Sequence, residues 1–344
     1  MVNREFHKSK VPRILVAIAA VPVAVAALSC SPNPVVELKT IAHYDTPGWA
    51  HDVAPYQGLL YVSDRQGGII IFERAAGWMR PRIQTPALDV ISLAPHEGRP
   101  VLASRYEGLV MANSDGGVAA RLSLGEIANA AETREDLVYA AYGAHGLVIA
   151  RIGESDLSLV TELPTRGWSH DVKLWGNHAL LADWDYGLRV VDINDPEHPK
   201  EVGVLGTRAT AISIAIQEKG SRTIAAVAEG HGGVSLVAFD TAGRPSRIAR
   251  HSLGLDPRDK THPKTGGWAH GAALCGNYLF VANWKNGLYV LDVADPSQPH
   301  ILMKKPTAGT ALGVKAEAEP EGSILVYLAD GEDGLLIFRL LDRR

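Results

Sequence analysis

Short apolar segments, each closed by turn-forming residues, recur along most of the chain. Between Gly167 and Pro199 the sequence reads GWSHDVKLWGNHALLADWDYGLRVVDINDPEHP. Short runs rich in Val, Leu and Ile, separated by Gly, Asn and Asp, are typical of strands joined by tight turns. The pattern therefore predicts four strands in this unit, at about 170–174, 178–183, 187–193 and 200–206.

The same pattern returns from Gly267 to Pro299 as GWAHGAALCGNYLFVANWKNGLYVLDVADPSQP, and from Gly48 as GWAHDVAPYQGLLYVSDRQGGIIIFE. Weaker copies fill the intervals, and every copy has a glycine before its third strand. These glycines are Gly68, Gly108, Gly146, Gly187, Gly233, Gly287 and Gly334. Their spacing of 38 to 54 residues is about the length of one four-stranded propeller blade. The sequence thus predicts an all-β fold, with residues 36–344 forming a single seven-bladed β-propeller.

Two of these copies carry a more specific signal. LRVVDI (Leu188–Ile193) and LYVLDV (Leu288–Val293) are each followed by the pattern D-P-x-x-P. This text resembles the LVIVD-repeat family of bacterial and archaeal surface proteins. The resemblance implies a β-propeller, but it implies no shared chemistry that can be assigned to particular residues.

The two ends of the predicted propeller complement each other. The segment from Val36 to His43 aligns with the outer strands of later units, although no inner strands precede it. The last unit, Ala311–Leu340, ends at its third strand. We therefore expect the N-terminal strand to complete the last blade, which removes a free sheet edge and closes the ring.

The first 29 residues have the organisation of a secretory signal. A basic segment precedes an unbroken apolar run, Ile14–Leu28, which is short for a membrane span. The run ends at Ala27-Leu28-Ser29-Cys30, which resembles a lipoprotein box in which Cys30 becomes the lipidated first residue. An ordinary signal peptide and an uncleaved anchor remain alternatives. The hypothesis divides the chain into a signal peptide (1–29), a lipidated tether (30–35) and the propeller.

Charge and cysteine content fit an exported protein without disulfides. The formal net charge is −4 with mixed signs along the chain, so nothing indicates a nucleic-acid partner. If Cys30 carries lipid, Cys275 has no cysteine to pair with, and we interpret it as a small buried residue. The predicted location is the cell envelope, with the membrane reached through the lipid on Cys30. In a Gram-negative host this would be the outer membrane.

Three histidines recur at one position of the repeat. His51, His170 and His270 each follow a tryptophan by two residues and precede Asp64, Asp183 or Asn283 by 13 residues. Strand alternation places these histidines and the turns between second and third strands on one end of the ring, called here the upper face. One hypothesis is structural: each histidine pairs with the Asp or Asn of its own unit, as in WD-type propellers, because a buried polar group needs a partner.

A second hypothesis makes the same three histidines, His51, His170 and His270, a transition-metal site at the mouth of the channel. Neutral imidazoles suit zinc, copper or iron, and three protein ligands leave an open position. Asp52 and Asp171 would then support the site or act in acid–base chemistry. This reading corresponds to a metal-dependent hydrolase or lyase.

A third hypothesis is ligand or partner binding on the upper face. Besides the three histidines, the candidate residues are Trp49, Trp168, Trp184, Trp268 and Trp284, since Trp often contributes strongly to interfaces. Packing between blades is the competing explanation for these tryptophans. The insertion Gly254–Gly267 would lie on the same face.

No catalytic residue can be assigned, because nucleophile-elbow, P-loop, H-E-x-x-H and dinucleotide motifs are absent from the sequence. The leading hypothesis is a binding or scaffold module for an envelope protein, a glycan or a small ligand; the metal-dependent enzyme is the alternative.

Overall fold

The computed structural model describes residues 36–75, 78–84, 88–113, 116–220, 222–254 and 267–343. All regular elements in these ranges are strands, numbered β1 to β28. The described part of the chain has no helix that is long and apolar enough to cross a membrane. The predicted signal peptide, Cys30, the tether and most of the insertion 254–267 lie outside the described residues.

Each blade is an antiparallel sheet of four strands, and in blades 1 to 6 the strands follow chain order from the axis outward. The strands of blades 1 to 4 are β2 (Asp52–Tyr56), β3 (Leu59–Ser63), β4 (Ile69–Ala75) and β5 (Trp78–Gln84); β6 (Val90–Ala94), β7 (Val101–Ser104), β8 (Gly108–Ala112) and β9 (Val118–Leu122); β10 (Ala130–Arg134), β11 (Leu137–Ala141), β12 (Leu147–Ile152) and β13 (Leu157–Leu163); β14 (Asp171–Trp175), β15 (His178–Ala182), β16 (Leu188–Asp192) and β17 (Lys200–Leu205).

The strands of blades 5 to 7 are β18 (Ser213–Lys219), β19 (Arg222–Ala228), β20 (Val234–Phe239) and β21 (Pro245–His251); β22 (Gly271–Cys275), β23 (Tyr278–Ala282), β24 (Leu288–Asp292) and β25 (His300–Lys305); β26 (Gly313–Ala318), β27 (Ile324–Ala329), β28 (Leu335–Asp342) and β1 (Val36–Tyr44). The predicted all-β, seven-bladed propeller with four-stranded blades is confirmed. In blade 4, most of the predicted strand ends lie one residue away from the observed ends.

The N-terminal strand closes the ring, as predicted. β1 pairs antiparallel with β28, with Val36 opposite Asp342 and Tyr44 opposite Leu335. Blade 7 is therefore built from both ends of the described chain, in the order β1-β28-β27-β26. This pairing covers the edge that β28 would otherwise expose.

The hydrophobic core lies between blades. The described residues form seven apolar clusters, each filled by side chains from two neighbouring blades. The second and third strands of a blade are buried on both faces, as in LLYVS of β3 and LYVLD of β24. Burial on both faces explains why these segments read as continuous apolar runs instead of alternating ones.

The seven repeat glycines share one backbone geometry. Each lies at the start of the third strand with φ between 72° and 85°, a region that side-chain-bearing residues rarely adopt. A Cβ on Gly187 would also lie 2.3 Å from the carbonyl oxygen of Leu205 in the outer strand. The repeat therefore needs glycine for two reasons, the left-handed turn and the close approach of the outer strand.

Tryptophans pack between blades at three junctions. Trp49, Trp168 and Trp268 precede the inner strands of blades 1, 4 and 6 and lie against a glycine in the blade before, at Gly331, Gly143 and Gly230 respectively. A Cβ at these glycines would come within 2.9 to 3.0 Å of the indole ring. The equivalent turn position in blades 1, 4 and 6 is Arg65, Trp184 and Trp284, with similar positive φ values of 44° to 51°. The indole contact, more than φ, therefore demands glycine.

Replacing Gly143 by alanine tests this contact. We expect Gly143→Ala to lower the free energy of unfolding by about 1–3 kcal/mol, because the methyl group overpacks against Trp168. In a Trp168→Ala background the same substitution should cost much less. Urea denaturation of the four proteins of this double-mutant cycle measures the difference. An equal cost in both backgrounds would show that φ, and not the indole, selects glycine.

Candidate functional site

The three recurrent histidines lie at the upper end of the central channel. In blade 4 the first residue of the inner strand, Asp171, pairs with Ala182, and Ala182 pairs with Leu188. The loop before the inner strand, called here the lead-in loop, is therefore at the same end as the turn between the second and third strands. His51, His170 and His270 end their lead-in loops, so all three stand at this end.

The histidine side chains converge at the channel mouth. The ring centroids of His51 and His270 are 5.4 Å apart, and those of His170 and His270 are 6.2 Å apart, both edge to face. The three rings line one cavity of about 60 Å³ together with apolar side chains of the intervening blades, including Ile91, Ile212 and Leu312. The cavity has room for a few water molecules or a small charged group, and is far smaller than the pockets of drug-sized ligands.

Each imidazole donates a hydrogen bond to the next blade. The Nδ1 atoms lie 2.8, 3.1 and 3.2 Å from main-chain carbonyl oxygens, and these contacts are His51–Ile91, His170–Ile212 and His270–Leu312. A carbonyl oxygen can only accept, so Nδ1 carries the proton, and in the neutral ring Nε2 is an acceptor. No partner for these three Nε2 atoms is found among the residues described. The mouth thus presents three nitrogen lone pairs.

The predicted pairing of each histidine with the Asp or Asn of its own blade is wrong. Asp64 accepts a hydrogen bond from the main-chain NH of Gly48 at 2.6 Å. Asp183 accepts from the hydroxyl of Thr165 at 2.6 Å and the NH of Gly167 at 3.1 Å, and is also ion-paired with the buried Arg189.

The third predicted pair, His270 with Asn283, is not formed either, since both polar side-chain atoms of Asn283 are buried without a hydrogen-bond partner. The acidic side chains are fully buried behind the lead-in loop, and Asn283 is buried at the equivalent place. The imidazole rings instead turn to the axis, where the carbonyl of the next blade meets them. Each histidine therefore joins two blades, while the Asp fixes a loop within one blade.

A loop-fixing aspartate also occurs in blade 7, where the sequence analysis missed it. Asp330 accepts hydrogen bonds from the hydroxyl of Thr307 at 2.7 Å and from the NH of Gly309 at 2.9 Å. The signal was present in the sequence as T-x-G before an inner strand, in TPG (46–48), TRG (165–167) and TAG (307–309). Burial raises the pKa of Asp330 to about 6, against the opposing effect of these donors.

A charged layer lies directly below the imidazoles. Asp171 accepts from the NH groups of Val172 and Ile214, both at 2.8 Å, and Asp52 accepts from the hydroxyl of Ser92 at 2.7 Å. Lys173 extends into the channel, with Nζ 3.2 Å from Asp171 and 3.0 Å from Glu132. Burial alone would lower the pKa of Lys173, but the two carboxylates raise it, so it stays charged.

The environment of the imidazoles keeps them neutral. Burial, aided by the neighbouring His270, lowers the pKa of His51 well below its ordinary value. Burial also lowers the pKa of His170. Burial and the nearby His170 lower the pKa of His270 to about 4. At neutral pH all three side chains are therefore acceptors at Nε2.

The predicted tryptophans divide into two groups. Trp184 and Trp284 lie beside the imidazoles, with centroid distances of 5.4 Å to His170 and 6.0 Å to His270. Trp168 and Trp268 are partly buried against the interblade glycines. Trp49 makes the same interblade contact yet keeps 38% of its surface exposed.

Further aromatic residues are exposed on this face. Tyr106 and Tyr186 occupy turns between second and third strands and are 76% and 47% exposed. Because those turns are at the same end as the lead-in loops, the two tyrosines extend the aromatic surface outward from the mouth. Tyr106 was not predicted from the sequence to belong to the candidate site.

Metal-ligand geometry is not present among the described side chains. No group of three or more His, Cys, Asp or Glu residues in those ranges is arranged so that it could hold a metal ion. The sequence-based metal hypothesis placed His51, His170 and His270 around one ion. The rings do converge, but His270 lies between the other two.

Cys275, interpreted as a buried residue, is only partly buried, and burial raises the pKa of its thiol.

Sequence comparison identifies LVIVD repeats in the chain. A family model of the LVIVD repeat matches residues 166–207 and 266–305. These ranges cover blades 4 and 6 with their lead-in loops, the two copies that carried the resemblance. No curated protein sequence matches the chain.

Solved structures share the fold at low sequence identity. The WD40 β-propeller domain of Doa1 is 12% identical with a TM-score of 0.66, over 88% of this chain and 96% of that one. The β-propeller domain of Myceliophteria thermophila Cps50 (Swd1) is 12% identical with a TM-score of 0.65, over 88% and 99%. BamB from Moraxella catarrhalis is 15% identical with a TM-score of 0.59, over 89% and 100%. At such identities the likeness concerns the fold alone.

The low pKa of His270 predicts a stability change in acid. Its folded pKa, about 4, is below the unfolded value of about 6.5. As the pH falls, the unfolded state therefore binds the proton at a higher pH than the folded state does. The free energy of unfolding consequently decreases as the pH falls from 6.5 toward 4. Burial lowers this pKa most and the nearby His170 lowers it further, whereas the carbonyl of Leu312 and the carboxylate of Asp171 raise it.

Denaturation with urea between pH 7.5 and 4 tests this expectation. The wild type should lose more stability over this interval than the His270→Gln variant, since glutamine does not titrate. The comparison cancels the buried carboxyls that both proteins share. Parallel pH profiles would contradict the prediction.

Proposed function

We propose that this LVIVD-repeat propeller is a cell-envelope lipoprotein that binds a ligand or partner through its upper face. The observation that carries the proposal is the channel mouth, where His51, His170 and His270 present Nε2 acceptors without partners among the described residues. These three Nε2 atoms are not among the buried, unpartnered side-chain atoms of the described residues, so they are accessible from the mouth. Acceptors left open at a rigid, concave mouth indicate a site for an external group.

Exposed aromatic side chains support binding on the same face. Trp49, Tyr106 and Tyr186 are exposed there, and aromatic residues contribute large contact areas at low conformational cost. The blade core holds the turns that carry them in place. The upper face therefore offers a few placed polar groups together with aromatic side chains, a combination that ligand-binding sites commonly have.

The alternative derived from the sequence is a metal-dependent hydrolase or lyase. Such an enzyme needs the three imidazoles within bonding distance of one ion. The arrangement of the described side chains does not favour this. We therefore prefer a binding function for the three histidines.

The tether position supports an orientation for the lipoprotein. Tyr44 pairs with Leu335, next to the upper-face turn of blade 7, so Val36 at the other end of β1 lies at the lower face. A lipid on Cys30 would precede Val36 by six residues, a span of about 20 Å when extended. The lower face would then lie toward the membrane and the upper face away from it.

Replacing Cys30 tests the lipoprotein assignment. In a bacterial expression host, Cys30→Ser should abolish membrane association after carbonate or detergent fractionation, and should remove the mass added by acyl chains. A Cys275→Ser variant is the control and should remain lipidated. Unchanged fractionation and mass of Cys30→Ser would contradict lipid anchoring.

Site-directed photo-crosslinking tests the binding face. A benzophenone amino acid at Tyr106 or Tyr186 should give defined adducts by mass spectrometry in intact cells. The same group at Glu197, exposed in the lower-face exit of blade 4, is the matched control. Adducts at the upper positions should be reduced by Trp49→Ala. Equal labelling at Glu197, or none at either tyrosine, would contradict upper-face binding.

A further inference from the structure

We infer that the channel mouth recognises a primary ammonium group, carried by a lysine side chain of a partner or by a small amine. The inference deepens the proposed function and rests on it. It depends on hydrogen-bond polarity, cavity size and an ammonium that the channel already holds.

The hydrogen-bonding groups at the mouth determine which charge the ligand should carry. The three imidazoles donate from Nδ1 to main-chain carbonyls, so each of them presents an acceptor, Nε2, at the mouth. On the same level in blade 3, the amide NH₂ of Asn129 donates to the carbonyl of Ser169 at 2.9 Å. Lys173 and Lys315 also line the cavity, but they follow the imidazole level by three residues along their strands. A carboxylate or phosphate would meet lone pairs instead of donors. A primary ammonium has three donors and no acceptor, which matches three Nε2 atoms.

Cavity size restricts the ligand to a small head group. The cavity that the imidazoles share with the charged layer below them is about 60 Å³, enough for an ammonium and the methylene next to it. Ile91, Ile212 and Leu312 separate the imidazoles around the lining and provide apolar contact for such a stem.

The charges that line the channel balance each other. The lining has two carboxylates, Asp52 and Asp171, and two cations, Lys173 and Lys315. Glu132, outside the lining, is ion-paired with Lys173. Net charge therefore does not oppose a cation at the mouth, and the attraction comes from the imidazole acceptors.

The protein itself shows how this channel holds an ammonium. The Nζ of Lys173 lies 2.9 Å from the carbonyl oxygen of Val172, 3.0 Å from Glu132 and 3.2 Å from Asp171. Three acceptors thus surround an ammonium in the layer below the mouth. The three imidazole nitrogens provide a second set of three acceptors, with no lysine of the described chain placed in it.

A metal ion is the competing occupant. Neutral imidazoles bind zinc or copper well, but bonding at about 2.0–2.1 Å requires all three Nε2 atoms around one point. The described side chains do not have that arrangement. Hydrogen bonds of roughly 2.9 Å accept wider spacing and broader angles, so the observed ring positions favour the ammonium.

Binding to the full chain in detergent, with EDTA present, tests the inference. The probes are acetyl-Gly-Lys-Gly-amide, its Nε-acetyl-lysine form and n-butylammonium, and the readout is fluorescence of the tryptophans beside the site. We expect saturable binding of the lysine peptide and at least tenfold weaker binding of the acetylated form. His270→Gln should weaken binding at least tenfold, whereas His198→Gln, on the exposed lower-face exit, should not.

A measurement on the wild type guards against a misfolded variant. Nitrogen NMR of the imidazoles should show a shift of Nε2 signals when the lysine peptide is added, without a shift from the acetylated form. If the peptide binds and butylammonium does not, the ammonium comes from a protein partner; comparable binding of both assigns small amines.

Two results would overturn the inference. One is the absence of saturable binding and of NMR shifts at millimolar amine. The other is zinc binding, without EDTA, that is lost in His270→Gln while amines have no effect, which would assign a metal. If the crosslinks from Tyr106 and Tyr186 persist in either case, binding through the upper face stands. Only the recognition of an ammonium group is then contradicted.

Discussion

Every blade of this protein is apolar on both faces, and this single constraint organises the rest of the structure. A four-stranded sheet with two apolar faces is stable only between two neighbours, so the blades must continue around the axis until the last meets the first. Seven interblade clusters in the described chain provide this burial. Pairing of β1 with β28 completes the ring by joining segments from opposite ends of the sequence.

Polar contacts at the upper end follow an alternation between two kinds of blade. Blades 1, 4 and 6 have a tryptophan that packs on a glycine of the preceding blade and a histidine that bonds a carbonyl of the following blade. Blades 5 and 7 serve both neighbours, supplying a carbonyl on one side and a glycine on the other. Blade 2 provides only the carbonyl, and blade 3 only the glycine. The contacts that join neighbouring blades therefore fix the positions of the histidines. These positions in turn determine which chemical groups lie at the mouth.

Much of this architecture is readable in the sequence because it depends on local backbone rules. The repeat glycines need a left-handed conformation and a close outer strand, so Gly187 and its equivalents mark each third strand without any tertiary information. The closing strand is predictable because a free edge is unfavourable. The histidine partners are not readable in this way. The spacing of 13 residues between His170 and Asp183 is real, but which group faces the axis depends on the neighbouring blade. T-x-G before Asp183 was the better guide to the buried carboxylate.

Seven is an odd number, and the alternation must fail once around the ring. It fails between blades 2 and 3. There Asn129 takes the histidine position and bonds the chain of blade 4 through its amide. As a result the imidazoles are unevenly spread: His270 makes ring contacts with both His51 and His170, and no such contact between His51 and His170 is found among the described side chains. The mouth is therefore a wedge centred on His270, open toward blades 2 and 3. The open side leaves room for the stem of a ligand whose charged end meets the three imidazoles.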